Sequence, residues 1–389
     1  MKRLTILTII AALGLTASAQ YSETGQSSNY ISTGMPILLI APDAVSSGMG
    51  DAGVASLPDA YSAHWNNAKF AFIDGDMGFS TTYTPWLRNL KVGDMNLLYL
   101  SGYYRINKRS TVAAGLTYFT LGDMDHTDVN GNVIGTLHPN EFAFDVTYAL
   151  KLTDELALGA SGRFIRSDLT NGAVVSSEGA ENTSTRAANS LAADIGLYYQ
   201  KEVDKEQSFA LGAFISNLGA KLSYSDDDND KEFLPANLRL GGRYTNRIDD
   251  YNKINVLLDI NKLLVPTPQL RNDTLQSNYN SIGVIQGALQ SFSDAPGGMS
   301  EELKEVQLSI GAEYWYAETF AARMGYFYEH ESKGGRQYLT IGAGMRYNIF
   351  SFDISYLIPT TRISTNPLAH TLRIQLSIDF KPTKEGAEQ

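Results

Sequence analysis

The stretch EFAFDVTYALKL, residues 141–152, separates into two sets of side chains. Phe142, Phe144, Val146, Tyr148, Leu150 and Leu152 take every second position; Glu141, Ala143, Asp145, Thr147, Ala149 and Lys151 take those between. Successive side chains alternate across a strand, so this segment has one wholly apolar face and one small, polar or charged face. TLRIQLSIDF (371–380) and YLTIGAGMRYNI (338–349) repeat the pattern.

A soluble sandwich also alternates, so three further features decide. The segments run about 10 to 13 residues, the length a tilted strand needs to cross a bilayer, whereas soluble strands cluster near five or six. Their polar faces carry Gly, Ser, Thr, Arg and Asp, as a lumen would. Their connections alternate in length. Fourteen segments are expected near 76–86, 94–105, 110–122, 140–152, 155–167, 189–201, 207–217, 236–247, 252–262, 304–317, 318–331, 336–349, 350–359 and 369–381. The turns INKRS, TDE, KEVDKEQ, RIDDYN, YAET and NIFS are tight, while 123–139, 168–188, 218–235 and 263–303 are long. Short turns on one side and long loops on the other mark a bacterial outer-membrane barrel, with both barrel ends on the periplasmic side. The expected class is all-β: a 14-stranded antiparallel transmembrane β-barrel.

Composition agrees. The 389 residues include no Cys, which excludes disulfides and thiolate zinc, and five scattered His. The net charge of −11 argues against nucleic acid. The 22 Tyr suit strands and membrane interfaces. Residues 1–19 read as a signal peptide: Lys2 and Arg3, an apolar run from Leu4 to Thr16, then Ala17-Ser18-Ala19, with Gln20 as the first mature residue. That run is too short for a membrane anchor.

Gly48-Met49-Gly50-Asp51-Ala52-Gly53 matches the dinucleotide pattern G-x-G-x-x-G. That pattern requires a βαβ unit, and none follows. Glycines in residues 20–75, a segment rich in small residues, instead suit close packing inside a lumen too wide for wall side chains to fill. This segment is expected to form a hatch, followed by the barrel (76–381) and a polar tail (382–389).

GMPILLIAPDAVSSGMGDAGVASLPDAYSAHWNNAKFAF, residues 34–72, resembles the start of the PorV (LptO) family of the type IX secretion system of Bacteroidetes. The shared pieces are M-P-x-L-x-I-x-P-D-A, G-M-G-D-x-G-V-A, and the run with Asp59, Ala60, Trp65 and Asn66. The resemblance implies a FadL-like barrel with an N-terminal hatch in the lumen, packed through Gly48, Gly50, Gly53, Trp65 and Asn66. Many such hatches read Asn-Pro-Ala where this chain has Asn66-Asn67-Ala68, which leaves one φ angle free. The resemblance further implies a non-enzymatic protein without cofactor. It would bind C-terminal signal domains of cargo at the Sov/SprA-like translocon and shuttle them to the attachment complex, which contains a PorU-like sortase. The competing reading is a FadL-like transporter of small hydrophobic molecules.

Other candidates are weaker. Ile282, Ile285, Leu289 and Phe292 fall on one helical face within loop 263–303, fit either for a partner or for the barrel's own mouth. Asp226, Asp227, Asp228 and Asp230 lack the spacing of a calcium loop. Arg163, Arg239, Arg243, Arg323, Arg346 and Arg373, with Asp145, Asp194, Asp259 and Asp379, project from polar faces; they are expected to be lumen charges paired with each other and with the hatch, the competing reading being an ion path.

Overall fold

A computed structural model describes residues 30–87, 94–127, 132–170, 174–175, 183–184, 186–225, 231–268, 281–360, 368 and 370–380. The signal-peptide segment, Asp226–Asp230 and the polar tail lie outside the described residues.

The alternating segments become fourteen strands: β1 Met77–Pro85, β2 Asn96–Asn107, β3 Ser110–Thr120, β4 Asn140–Lys151, β5 Leu156–Asp168, β6 Ala188–Glu202, β7 Gln207–Gly219, β8 Asn237–Arg247, β9 Asn252–Leu263, β10 Gln307–Tyr316, β11 Phe320–Tyr328, β12 Gln337–Tyr347, β13 Phe350–Pro359 and β14 Leu372–Phe380. They form one closed barrel in chain order. The ends meet antiparallel, with Met77 opposite Phe380 and Tyr83 opposite Ile374. The Asp76 N–H adds a bond to the Phe380 carbonyl at 2.8 Å. Among the described residues no helix is long and apolar enough to span a bilayer; a closed barrel satisfies its strands' backbone internally, as a spanning structure must.

The barrel is inverted in polarity. Phe79, Leu100, Phe144, Val146, Leu240, Leu258, Ile310, Ile341 and Leu376 are exposed on the outside, while Asp145, Arg163, Asp194, Asp259, Glu313, Arg323 and Arg373 are buried in the lumen. Such an apolar girdle in water would be an aggregation surface; in lipid it is the favoured arrangement.

Several strands, β10, β11, β12 and β14 among them, are three to five residues shorter than their alternation suggests. β10 begins at Gln307 rather than 304, because Leu303–Glu305 close a 3-10 turn with Glu305 facing inward. β11 stops at Tyr328, where the Glu329 carboxylate turns to bind Arg336 at 2.8 Å. Between β6 and β7 a bulge shifts the register at Asp194. There Asn217 takes a φ of 60° and donates its N–H to Asp194 Oδ1 at 2.7 Å.

The chain from residue 30 threads this cylinder. Gly34 donates its N–H to the Phe233 carbonyl at 2.9 Å in a long connection, and Ile37 and Leu38 pack with Trp86, Leu97 and Phe119 at the long-loop rim. Asp43 then caps a single helical turn, α1 (Ala44–Ser47), by accepting the Ser46 N–H at 2.7 Å. Ser56–Asp59 reach the short-turn half, beside Ser351, Ser377 and Asp379. A second turn, α2 (Ser62–Trp65), and a 3-10 turn (Asn67–Phe72) return the chain to β1.

The threading fixes sidedness. In this cysteine-free chain, single cysteines at Tyr30 and at Ser293 are both expected to react with an impermeant maleimide on intact cells. A cysteine at Asp204, in a short turn, is expected to react only after permeabilisation. If position 30 labelled with position 204 instead, the described path of the hatch would be wrong.

Candidate functional site

The hatch touches wall strands on every side. Ala44 donates its N–H to Gln375 Oε1 at 2.9 Å, and Arg373 donates to the Ala41 carbonyl at 3.0 Å. Ser47 bonds Ser355 at 2.7 Å, Tyr61 bonds Thr82 at 2.5 Å, and Ser101 donates to the Ala60 carbonyl. Asn66 Nδ2 donates to the Leu197 carbonyl at 2.9 Å. Asn67 Nδ2 donates to Ser161 Oγ at 2.8 Å, a tie that a proline at this position could not make.

The glycine run explains itself here. Gly53 and Val54 donate their N–H groups to one carboxylate oxygen of Asp259 on β9, at 2.7 and 2.8 Å. Gly50 donates to Thr340 Oγ1 on β12 at 2.8 Å. The N–H groups that would face a phosphate in a nucleotide fold meet the barrel's own acceptors. Gly50 has a φ of +69°, and a Cβ there would lie 2.5 Å from the Tyr326 backbone nitrogen. A Cβ at Gly53 would sit 2.2 Å from the Trp65 ring. Gly48 closes α1, its N–H bonding the Ala44 carbonyl at 3.1 Å.

The separated motifs of the segment meet in one clasp. Trp65 Nε1 donates to Asp43 Oδ1 at 2.6 Å, while the other oxygen of Asp43 holds the helix cap. The Arg239 guanidinium lies 4.9 Å from the Trp65 ring and donates to the His64 carbonyl at 3.2 Å. Lys69, fully buried, donates to the Gly53 carbonyl at 2.9 Å and Ser56 Oγ at 2.8 Å. Burial lowers this ammonium from its ordinary range, opposed by the nearby Asp59 carboxylate. Burial likewise pushes Asp59 up to about 6, against the pull of Lys69, and holds His64 well below its ordinary range, with Arg239 adding to the effect.

Wall charges on the lumen face pair with partners on adjacent or next-but-one strands. Arg163 meets Asp194 at 2.9 Å, and Arg323 bridges Glu313 at 2.8 Å and Asp353 at 2.7 Å. Asp379 accepts from Tyr103 at 2.8 Å, and Arg346 lies 4.2 Å from the Trp315 ring. Three gaps between hatch and wall measure about 40, 20 and 10 Å³. Larger hollows, of about 810 and 590 Å³, lie on the lipid-facing wall.

Beyond the rim, the long loop after β9 carries α3 (Val284–Gln290). Its Gly287 and Ala288 side is buried, with Gly287 against Pro266 and Phe233. Ile285, Leu289 and Phe292 point outward, 60%, 70% and 47% exposed. Ile282 precedes the helix and is half-buried. Met299 and Leu303, later in the same loop, are also exposed. Sequence reasoning missed the buried charges beneath this loop, because Lys262, Glu302, Glu305 and Lys333 follow no local period.

A closed, plugged barrel with an apolar exterior is an integral outer-membrane protein. A family model described as "Type IX secretion system protein PorV" matches residues 23–270, well over half of the chain, and the chain belongs to that family. Among solved structures, similar barrels include the Ralstonia pickettii toluene transporter TbuX, at 14% identity over 87% of this chain and 98% of that one, with a TM-score of 0.49. The Pseudomonas putida toluene transporter TodX is 11% identical over 92% of this chain and 100% of that one, with a TM-score of 0.49. A Pseudomonas aeruginosa FadL homologue is 11% identical over 87% and 98%, with a TM-score of 0.44. No curated protein matches the chain.

Two substitutions test the seat of the hatch. Gly50→Ala adds a Cβ at positive φ against backbone and is expected to cost about 2–4 kcal/mol. Asp259→Ala leaves two buried N–H groups without their acceptor and is expected to cost about 2–3 kcal/mol. Both should lower the temperature at which the barrel loses its compact electrophoretic band; unchanged midpoints would contradict the described contacts.

Proposed function

We propose that this outer-membrane component of the type IX secretion system holds the C-terminal signal domain of cargo leaving the translocon. It then carries that cargo to the surface attachment complex and its sortase. The observation that carries the reading is the filled lumen. An engineered apolar cavity of roughly 150 Å³ takes up benzene, whereas the three gaps described beside the hatch are about 40, 20 and 10 Å³. A transporter of small hydrophobic molecules would need an apolar pocket there and a break in the wall. In the described wall each strand is hydrogen-bonded to both neighbours.

With the lumen occupied, recognition falls to the outer loops. Ile285 and Leu289 on α3, with Phe292 in the turn that follows it, supply what a helix-in-groove contact requires: apolar side chains at helical spacing, exposed on a packed segment. Its partner is the translocon, from which cargo is received, and the membrane places both barrels side by side.

Replacing Ile285 and Leu289 together by Asp introduces charge without touching the buried side of α3. Translocon recovered by mild-detergent pulldown is expected to fall at least about tenfold, as for loss of an interface hot spot, with barrel assembly unchanged. Undiminished recovery and normal cargo secretion would sink the docking role of this helix. Measurable uptake of fatty acid or toluene by the unmodified protein would favour the transporter.

A further inference from the structure

The short loop between β11 and β12 is built around one lysine. Glu329 grips Arg336 at the other end of the loop, accepting from its N–H at 3.2 Å, Nε at 2.8 Å and Nη2 at 2.9 Å. His330 Nδ1 accepts the Ser332 N–H at 3.2 Å and starts a 3-10 turn, Glu331–Lys333. Gly334 and Gly335 then reverse the chain at φ of 135° and 69°. A Cβ at Gly334 would lie 2.3 Å from the Glu329 carboxylate. The loop is thus closed at its base and turned at its tip.

Its product is the placement of Lys333. That ammonium crosses to the long loop and donates to Glu301 at 2.6 Å and Glu305 at 3.0 Å. The Lys333 side chain is 4% exposed and that of Glu305 2%. Glu305 also accepts from Lys262 at 2.6 Å and from Thr267 Oγ1 at 2.8 Å. Glu302 takes Lys262 at 3.1 Å and the Ala295 N–H at 2.8 Å. The network therefore joins the end of β9, both halves of the long loop and the short loop. Phe292, on the exposed apolar face, lies 5.9 Å from the Lys262 ammonium.

The geometry points to Lys333 as a positioning residue: a latch from the short loop that fastens the long loop and holds α3 in its docking orientation. The inference rests on the docking role given above to Ile285, Leu289 and Phe292. Buried ion pairs contribute little net stability but are costly to break from one side, since the remaining charge is stranded. Such a bond suits orientation better than adhesion. Loss of Lys333 leaves the buried Glu305 carboxylate to share the Lys262 ammonium with Glu302, and removes the ionic tie between the short loop and the long loop.

The test uses the full chain in intact cells. Lys333→Met keeps the stem and removes the charge; Lys333→Arg keeps the charge; Glu305→Gln weakens the latch from the other side. Trypsin added outside is expected to cut after Lys304 at least about tenfold faster in Lys333→Met, given the size of the stranded-charge effect. Translocon recovery should fall in parallel. Lys333→Arg should stay near the unmodified protein in both, and Glu305→Gln should lie between. Heat-modifiable mobility checks that each barrel has assembled. Unchanged cleavage in both Lys333→Met and Glu305→Gln would overturn the latch. Faster cleavage with full translocon recovery would keep the latch and remove the docking role of α3; lost recovery in the Ile285/Leu289 variant with normal cleavage supports that docking role independently.

Discussion

A strand in hydrocarbon has no water to satisfy its N–H and C=O groups, so the fourteen strands can rest only when the first pairs with the last. The junction of Met77–Tyr83 with Ile374–Phe380 meets that demand. Residues at opposite ends of the chain become neighbours through it, and every other feature follows. Closure gives the sheet an inside and an outside, turns alternation into two surfaces of opposite polarity, and creates a lumen too wide for wall side chains alone.

The hatch answers that last consequence. It contains little regular structure, so most of its backbone polar groups need partners from elsewhere. The wall supplies partners to hatch backbone from Gln375, Arg373, Thr340, Asp259 and Ser101, and to hatch side chains from Ser355, Leu197, Ser161 and Thr82. Small residues on the hatch let its backbone approach those acceptors. Charged wall residues are tolerated because they meet each other, hatch carbonyls or hatch N–H groups. The plug is therefore a lining bonded to the cylinder.

A filled cylinder moves function to its rims. The short-turn rim offers turns of a few residues. The opposite rim offers a long loop with one helix side packed down and the other apolar and bare, standing on a buried ionic base. For a member of a secretion-system family, that arrangement agrees with the proposed role: the barrel sits in the membrane, the N-terminal segment fills its lumen, and the outer loops are left for the proposed contacts with other proteins.

The strands, their number, their inside and outside faces and the short-long rhythm of their connections were legible in the residue order, because period two is a local property of extended backbone. EFAFDVTYALKL already separates Asp145, which lines the lumen, from Phe144, which faces lipid. The hatch was legible only as a segment of small residues ahead of the strands, and its glycine run was spelled like a phosphate loop. That those N–H groups meet Asp259, some two hundred residues onward, could not be read from spacing. Neither could the clasp of Asp43 with Trp65, nor the reach of Lys333 to Glu305. Side-chain alternation is decided between neighbouring residues, whereas partners across a lumen are decided by how many strands close and in what register, which is a property of the whole ring.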